Sequence, residues 1–290
     1  MIGFDTNPEN LKKLIPAGLL KSFDELESRI AGQANDAKDV NAMKRIAVFD
    51  MDNTLLVGDI GDALFAQLKI DERDKQVALS IEKTPISLTW DELIQILHKQ
   101  GKKIAYPLMT TAMAGIPVEI VKEATRRAMD PSRTVLEIEN MRIPVPYPQP
   151  AMQAFTFYLK SLGYTIYIIS ATNEISVKWV AQEYFGVPEE CVFAMKPALY
   201  RHGGYGEIIG GTISGPITVE QGKTEAYRKL LGSHSASINA GDSLTDIPVL
   251  NLTHPKGLII WVENKNNIQQ RVSVIQSISN PGNLFFLSQD

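Results

Sequence analysis

A chain of 290 residues can bury a large core, either as one domain with an insertion or as two domains. Its 44% hydrophobic share is that of an ordinary globular protein, and a net charge of −4 leaves no electrostatic footprint for nucleic acid. One cysteine, Cys191, excludes an internal disulfide framework and fits a reducing compartment.

Residues 1–7 have neither the basic nor the apolar region of a secretory signal, and the apolar run 258–262 is too short to cross a bilayer. A cytoplasmic protein with no membrane partner is expected. Asn7 followed by Pro8 is a helix start. Leu19, Phe23, Leu26 and Ile30 then recur at helical spacing, with Lys21, Asp24, Glu25 and Arg29 on the other faces. The spacing predicts a helical extension over residues 1–44 that packs on its own domain, with a polar linker at 32–41. Residues 46–49, Ile-Ala-Val-Phe, read as a buried central strand that stops at Asp50. In open α/β sheets the ligand crevice lies beyond the carboxyl ends of such strands. Asp50 is therefore expected at its mouth and Asp52 on the turn leaving it. Two carboxylates so close need a cation or shared protons; an acidic loop capping a helix is the plainer alternative.

From residue 58 to 147 the pattern is helical. Ala63, Leu64 and Leu68 mark one helix, the capping-box sequence Thr89-Trp90-Asp91-Glu92 opens a second that Gly101 ends, and Pro117 starts a third. No strand is expected there. Residues 143–150 are proline-rich and extended, which suits the return hinge of an all-helical cap domain that covers the crevice and excludes water. Residues 45–57 and 148–290 then form the core. Pro150 opens a helix, and residues 164–169 form a buried strand ending at Ser170-Ala171-Thr172-Asn173. Ser170 there can bind a phosphate oxygen beside helix amides, or simply cap the next helix.

Residues 191–194 read as a short strand and 200–219 as a hairpin with Gly210-Gly211 at its turn or a bulge. Gly222-Lys223-Thr224 starts a helix but is no P-loop, because Ile217 stands where that motif needs glycine. A lysine so placed is most often solvated. The strand at 235–240 runs into Gly241-Asp242-Ser243-Leu244-Thr245-Asp246, and 257–262 is expected to be the last core strand. Strands separated by helices, each followed by a candidate polar residue, predict an α/β fold with a doubly wound, Rossmann-like parallel sheet. The four histidines show no metal-ligand spacing.

Collected at the strand ends, Asp50, Asp52, Ser170, Lys223, Asp242 and Asp246 make a cation site that can also hold a doubly charged anion. Magnesium prefers one or two carboxylates, with waters and substrate phosphate completing its shell. Asp50 and Asp242 suit it as side-chain ligands and Asp52 through its carbonyl, while Lys223 keeps Asp50 ionised.

In order and spacing, Asp50-Met51-Asp52-Asn53-Thr54, Ser170, Lys223 and Gly241-Asp242-x-x-x-Asp246 resemble the four motifs of the haloacid dehalogenase-like hydrolases, and the helical insert resembles that superfamily's C1 cap. Within it the chain looks like the phosphoserine phosphatase-type branch. More narrowly, Phe49 to Thr54, the helical leader and the segment 258–265 resemble phosphorylcholine phosphatases. The resemblance implies that Asp50 is a nucleophile forming an aspartyl-phosphate and that Asp52 is the general acid and base. It further implies that Ser170, Ala171, Lys223 and Asn53 hold the phosphoryl group, that Asp50, Asp52 and Asp242 bind Mg2+, and that Asp246 and Thr54 support them.

Asp59 stands near the place of the acid that holds a substrate ammonium in phosphoserine phosphatases, or else caps the following helix. No arginine is well placed in the cap for a substrate carboxylate. A quaternary ammonium would want aromatic faces, and Trp90, Tyr106 and Tyr147 are candidates, although residues so spaced are more often core. A small phosphorylated metabolite, phosphocholine- or phosphoethanolamine-like, is the expected substrate. The alternatives are phosphoserine, a phosphotransferase with a hydroxyl acceptor, and a phospho-accepting receiver. The sequence fixes no oligomeric state.

Overall fold

The computed structural model describes residues 6–33, 43–73, 86 and 88–289. Asn7 caps the first helix, its side chain accepting the Glu9 N–H at 3.0 Å. Helices α1 (Pro8–Leu14) and α2 (Ala17–Gln33) form the leader. Their apolar stripe is buried as the spacing predicts: Leu19, Phe23 and Leu26 face inward, and the Phe23 ring meets Phe155, Tyr158 and Tyr164. The expected linker begins inside α2 and otherwise falls outside the described residues.

Strand β1 (Lys44–Phe49) leads through a wide turn at Met51–Leu55 into the short β2 (Leu56–Val57). The insert follows, with helices α3 (Ile60–Arg73), α4 (Trp90–Gln100), α5 (Lys102–Thr111) and α6 (Val118–Ala128). The Thr89–Glu92 capping box forms, and Gly101 at φ 79° ends α4. The chain re-enters a helix at once in α5, although Pro107 argues against one.

The insert is also not wholly helical. Strands β3 (Val135–Ile138) and β4 (Met141–Pro144) pair antiparallel. Their alternation is real but only four residues long: Leu136, Ile138 and Ile143 turn inward, and β3 packs on α3. The return connector pairs as well. In β5 (Tyr147–Pro148), Pro148 faces Leu56 and Tyr147 faces Val57, so the two crossings between core and insert are stitched side by side.

The core resumes with α7 (Pro150–Ser161), β6 (Thr165–Asn173), α8 (Glu174–Phe185) and β7 (Val192–Met195). A hairpin follows, β8 (Pro197–His202) and β9 (Gly206–Ile213), which turns at 203–205, with a register shift opposite Gly210 and Gly211. These glycines are therefore the bulge and not the turn. The hairpin leans on the insert: Gly115 N–H donates to Ile209 O at 2.8 Å, and Ile209 N–H to Ile116 O at 3.0 Å. Then come α9 (Gln221–Leu231), β10 (Ala236–Gly241), α10 (Ile247–Leu250), β11 (Leu258–Glu263), α11 (Arg271–Ser277) and β12 (Leu284–Ser288). Strand β12 corrects the expectation that the sheet ends at 262. It is a five-residue edge strand of Leu and Phe, too short to stand out beyond Pro281-Gly282.

The sheet runs β12-β11-β10-β1-β6-β7, every pair parallel. From β1 the chain winds outward through β6 and β7, then returns to β1's other side at β10. The switch point lies between β1 and β10, where an open α/β sheet leaves its crevice. Among the described residues, no helix is long and apolar enough to cross a membrane.

Candidate active site

Asp50 leaves the sheet at that switch point, its N–H bonded to Ala240 O of β10 at 3.0 Å. From α9, Lys223 Nζ reaches it at 2.6 Å and reaches Asp246 Oδ1 at 2.6 Å. Lys223 is buried, so the surface-lysine alternative fails: its place in the first turn of α9 aims it inward. Asp246 is fixed by its other oxygen, which accepts the N–H of Ser243 at 3.0 Å and its hydroxyl at 3.1 Å. Gly241 makes this turn possible, because a Cβ there would lie 2.7 Å from Asp246 Cβ. Asp242 accepts the Thr54 hydroxyl at 3.4 Å, and its carbonyl is held by Asn267 Nδ2 at 2.7 Å. Asn267 was not foreseen; its only sequence signal is an asparagine-rich turn after a buried strand.

Asp52 lies on the other side. Its Oδ1 accepts the Ile60 N–H at 2.7 Å, and its Oδ2 accepts the hydroxyls of Thr172 at 2.7 Å and Ser170 at 3.3 Å. β6 carries both hydroxyls because it runs past residue 169, where the strand was expected to stop. Ser170 thus serves neither as a helix cap nor as a loose loop residue: α8 is capped by Asn173, whose side chain accepts the Ile175 N–H at 2.9 Å. Asn53 occupies the left-handed region at φ 57°, its N–H given to Gly58 O at 3.0 Å and its carbonyl held by Gln289. Short polar residues such as Asn tolerate that conformation best after glycine.

The electrostatics separate the two acids. Burial raises Asp50, Lys223 opposes the rise and Asp246 adds to it, leaving Asp50 pushed up to about 7. Asp52 rises well above the carboxylate range, through burial first and then the negative charges of Asp59 and Asp50. Burial also raises Asp242, with Asp246 and Asp50 reinforcing it. For Lys223 burial works downward, but Asp246 and Asp50 more than offset it, and the ammonium is held.

Asp50, Asp242 and Asp246 each offer an oxygen within 4.8 Å of the others. Three carboxylates around one lysine leave uncompensated negative charge in a buried pocket, and an all-oxygen donor set of this kind fits a hard divalent cation. Asp52 is turned toward Ser170, Thr172 and Ile60 and brings no carboxylate to that group.

Between the strand ends and α5 is a cavity of about 20 Å³ whose lining includes Asp59, Asp62, Tyr106, Met109, Met113 and Ala171. Asp59 does cap the start of α3, accepting the Asp62 N–H at 3.0 Å, and it faces this chamber as well. Asp62 joins it, raised well above the carboxylate range by burial and then by Asp59 and Asp52. The three aromatic candidates separate: Tyr106 lines the chamber, Trp90 packs in the core beside Phe65, and Tyr147 lines an outer groove. A three-sided aromatic cage is not built. Three histidines, His98, His202 and His234, are exposed and His254 is half-buried, and none joins the carboxylate group.

A parallel sheet with acids at its switch point, a buried lysine between two of them and an insert closing over the first strand's end defines a hydrolase class. The chain belongs to the haloacid dehalogenase-like hydrolases, whose sequence pattern matches residues 47–251. Among solved structures it is similar to a protein of unknown function from Bordetella pertussis, with 20% identity and a TM-score of 0.58, covering 86% of this chain and 100% of that one. A conserved protein of unknown function from Anaerococcus prevotii is similar at 17% identity and a TM-score of 0.55, over 89% and 92% of the two chains. A HAD family hydrolase from Salmonella enterica serovar Typhi follows at 16% identity and 0.51, over 78% and 64%. At these identities the likeness is one of fold. A search of curated proteins gave no match.

Proposed function

We propose that the chain is a magnesium-dependent phosphomonoester hydrolase working through an aspartyl-phosphate on Asp50. A magnesium ion held by Asp50, Asp242 and the Asp52 carbonyl, with Asp246 supporting, would neutralise phosphoryl charge when bound. Asp50 Oδ attacks phosphorus as the bond to the ester oxygen breaks, and Asp52 gives its proton to that oxygen. Water then attacks the acyl-phosphate, Asp52 takes the water's proton, and the Asp50–phosphorus bond breaks to release phosphate. Lys223 and Ser170, with the Ala171 backbone and the Asn53 side chain, bind the phosphoryl oxygens as charge redistributes. One observation carries this reading: Asp50 has an ammonium at 2.6 Å, while Asp52, among the described residues, accepts from neutral donors alone, so the pair divides into an ionised and a protonated member. The family match sets the receiver alternative aside.

The chamber supports a small cationic leaving group, because Asp59 and Asp62 face it beside Tyr106 and a cation there would offset the burial that holds both carboxyls high. This favours ethanolamine- or choline-like phosphates, in a reducing cytoplasmic setting that suits free Cys191. One observation favours phosphoserine instead: Lys102 Nζ stands 5.8 Å from the Tyr106 ring centre and opposes the rise that burial gives Asp59, so a substrate carboxylate would have a cation to meet. The test is hydrolysis of a panel of these esters and sugar phosphates with and without Mg2+, by the native chain and by Asp50→Asn. We expect Asp50→Asn to lose at least about 10³-fold in turnover, with amine-bearing esters preferred. A variant that kept most of its turnover would remove Asp50 as nucleophile, and a panel led by sugar phosphates would remove the cationic leaving group.

A further inference from the structure

Helix α5 roofs the chamber, and from its first turn Lys103 reaches the residue that heads α9. There Lys103 Nζ stands 2.9 Å from Glu220 Oε2, an ion pair that spans insert and core. Glu220 is no ordinary surface acid. Its backbone sits at φ 50°, ψ −111°, where a residue other than glycine is strained. Its carbonyl accepts the Lys223 N–H at 3.0 Å. Beneath it the Ile217 carbonyl presses on Gly222 so closely that a Cβ there would lie 1.6 Å from the oxygen. The segment 217–222 has little freedom, and whatever holds Glu220 also holds the first turn of the helix carrying Lys223.

A chamber of about 20 Å³ has room for one water and for no leaving group. α5 must therefore lift to admit a substrate, and lifting draws Lys103 away from Glu220. On this basis, which rests on the phosphatase reading, we propose that Lys103 and Glu220 form a closing clasp: the pair re-forms over bound substrate and sets the first turn of α9, so that Lys223 meets Asp50 when the insert is shut. Neither residue touches the reacting atoms; both are positioning residues. The clasp reaches solvent at both ends, so salt screens it.

The test uses the full chain with saturating Mg2+ and an aryl phosphate, and compares Lys103→Gln, Glu220→Gln, their combination and the swap Lys103→Glu with Glu220→Lys. Each single change is expected to lower kcat about two- to fivefold with little change in KM, and the combination to be no worse than either one. The swap should recover most of the loss. Salt at about 1 M should bring the native chain down to the Lys103→Gln level and leave that variant where it was. Losses that add, a swap no better than the singles, or equal salt effects on both chains would overturn the clasp. Hydrogen exchange across α5 supplies a readout free of turnover: its amides should exchange faster in Lys103→Gln than in the native chain at low salt, and equally at high salt. Unchanged exchange also overturns the clasp. A chain that hydrolyses no ester would fail the phosphatase reading, and the exchange measurement would still decide on the clasp.

Discussion

Asp50 and Asp52 are two residues apart, yet their surroundings differ in kind. Lys223 touches the first, and among the described residues no cation touches the second. In the sequence the two acids were visible at once, because an apolar run ends on them. What separates them was not visible, since the Thr172 hydroxyl and the Ile60 amide come from other parts of the chain and only the fold brings them in. The burial of these acids has a consequence for stability. Asp50, Asp52 and Asp242 all bind a proton more tightly in the folded chain than in the unfolded one. Their contribution is complete below the unfolded value of 3.8 and is lost as pH rises, for Asp50 through about 7. The metal-free protein should therefore lose Tm relative to Asp50→Asn as pH rises from about 4 to about 7, and Mg2+ should restore most at the upper end. Thermal scans of both chains across that range check it; a native Tm that climbs relative to the variant would contradict it.

At the scale of the element, what mattered for legibility was length and punctuation. β1, α4 and α7 were readable because each carries several apolar residues in phase and a clear cap or stop. β3 and β4 span four residues each and β12 five, too few for a period to show. α5 was hidden by Pro107, whose missing N–H usually ends a helix. The segment leading into α9 is read correctly as a helix start and not a P-loop, but the role of Gly222 is hidden: it lets the Ile217 carbonyl pass. Gly222→Ala should accordingly cost about 1–3 kcal/mol of stability and lower turnover more than KM, because the displaced turn carries Lys223. Denaturant unfolding and steady-state kinetics check this. A variant as stable and active as the native chain would show that the segment has slack.

For the whole molecule, the two crossings into the insert are paired as β2 and β5, and the insert is further held to the core through the buried contact of Thr125 with Ser176 at 2.8 Å. The insert is therefore anchored where α6 meets α8, while α5 stands over the chamber and rests on β6 and β9. On the proposed clasp, the motion that admits substrate falls on α5. Thr125→Val leaves the Ser176 hydroxyl buried without that partner, and should lower Tm by a few degrees, a loss of about 1–3 kcal/mol. The same change should leave the ester preference intact, because it lies away from the chamber. A shift in preference would place α6 in the moving part.

Where the phosphoryl group goes decides the mechanism. The direct measurement is to mix the protein with Mg2+ and a reactive phosphate ester, quench in acid within the first turnover, and map the modified peptide by mass spectrometry. One phosphoryl group on Asp50, absent from Asp50→Asn and accumulating in Asp52→Asn, is the result expected. A trapped group on another residue, or full turnover with no phosphorylated protein in either chain, would contradict it.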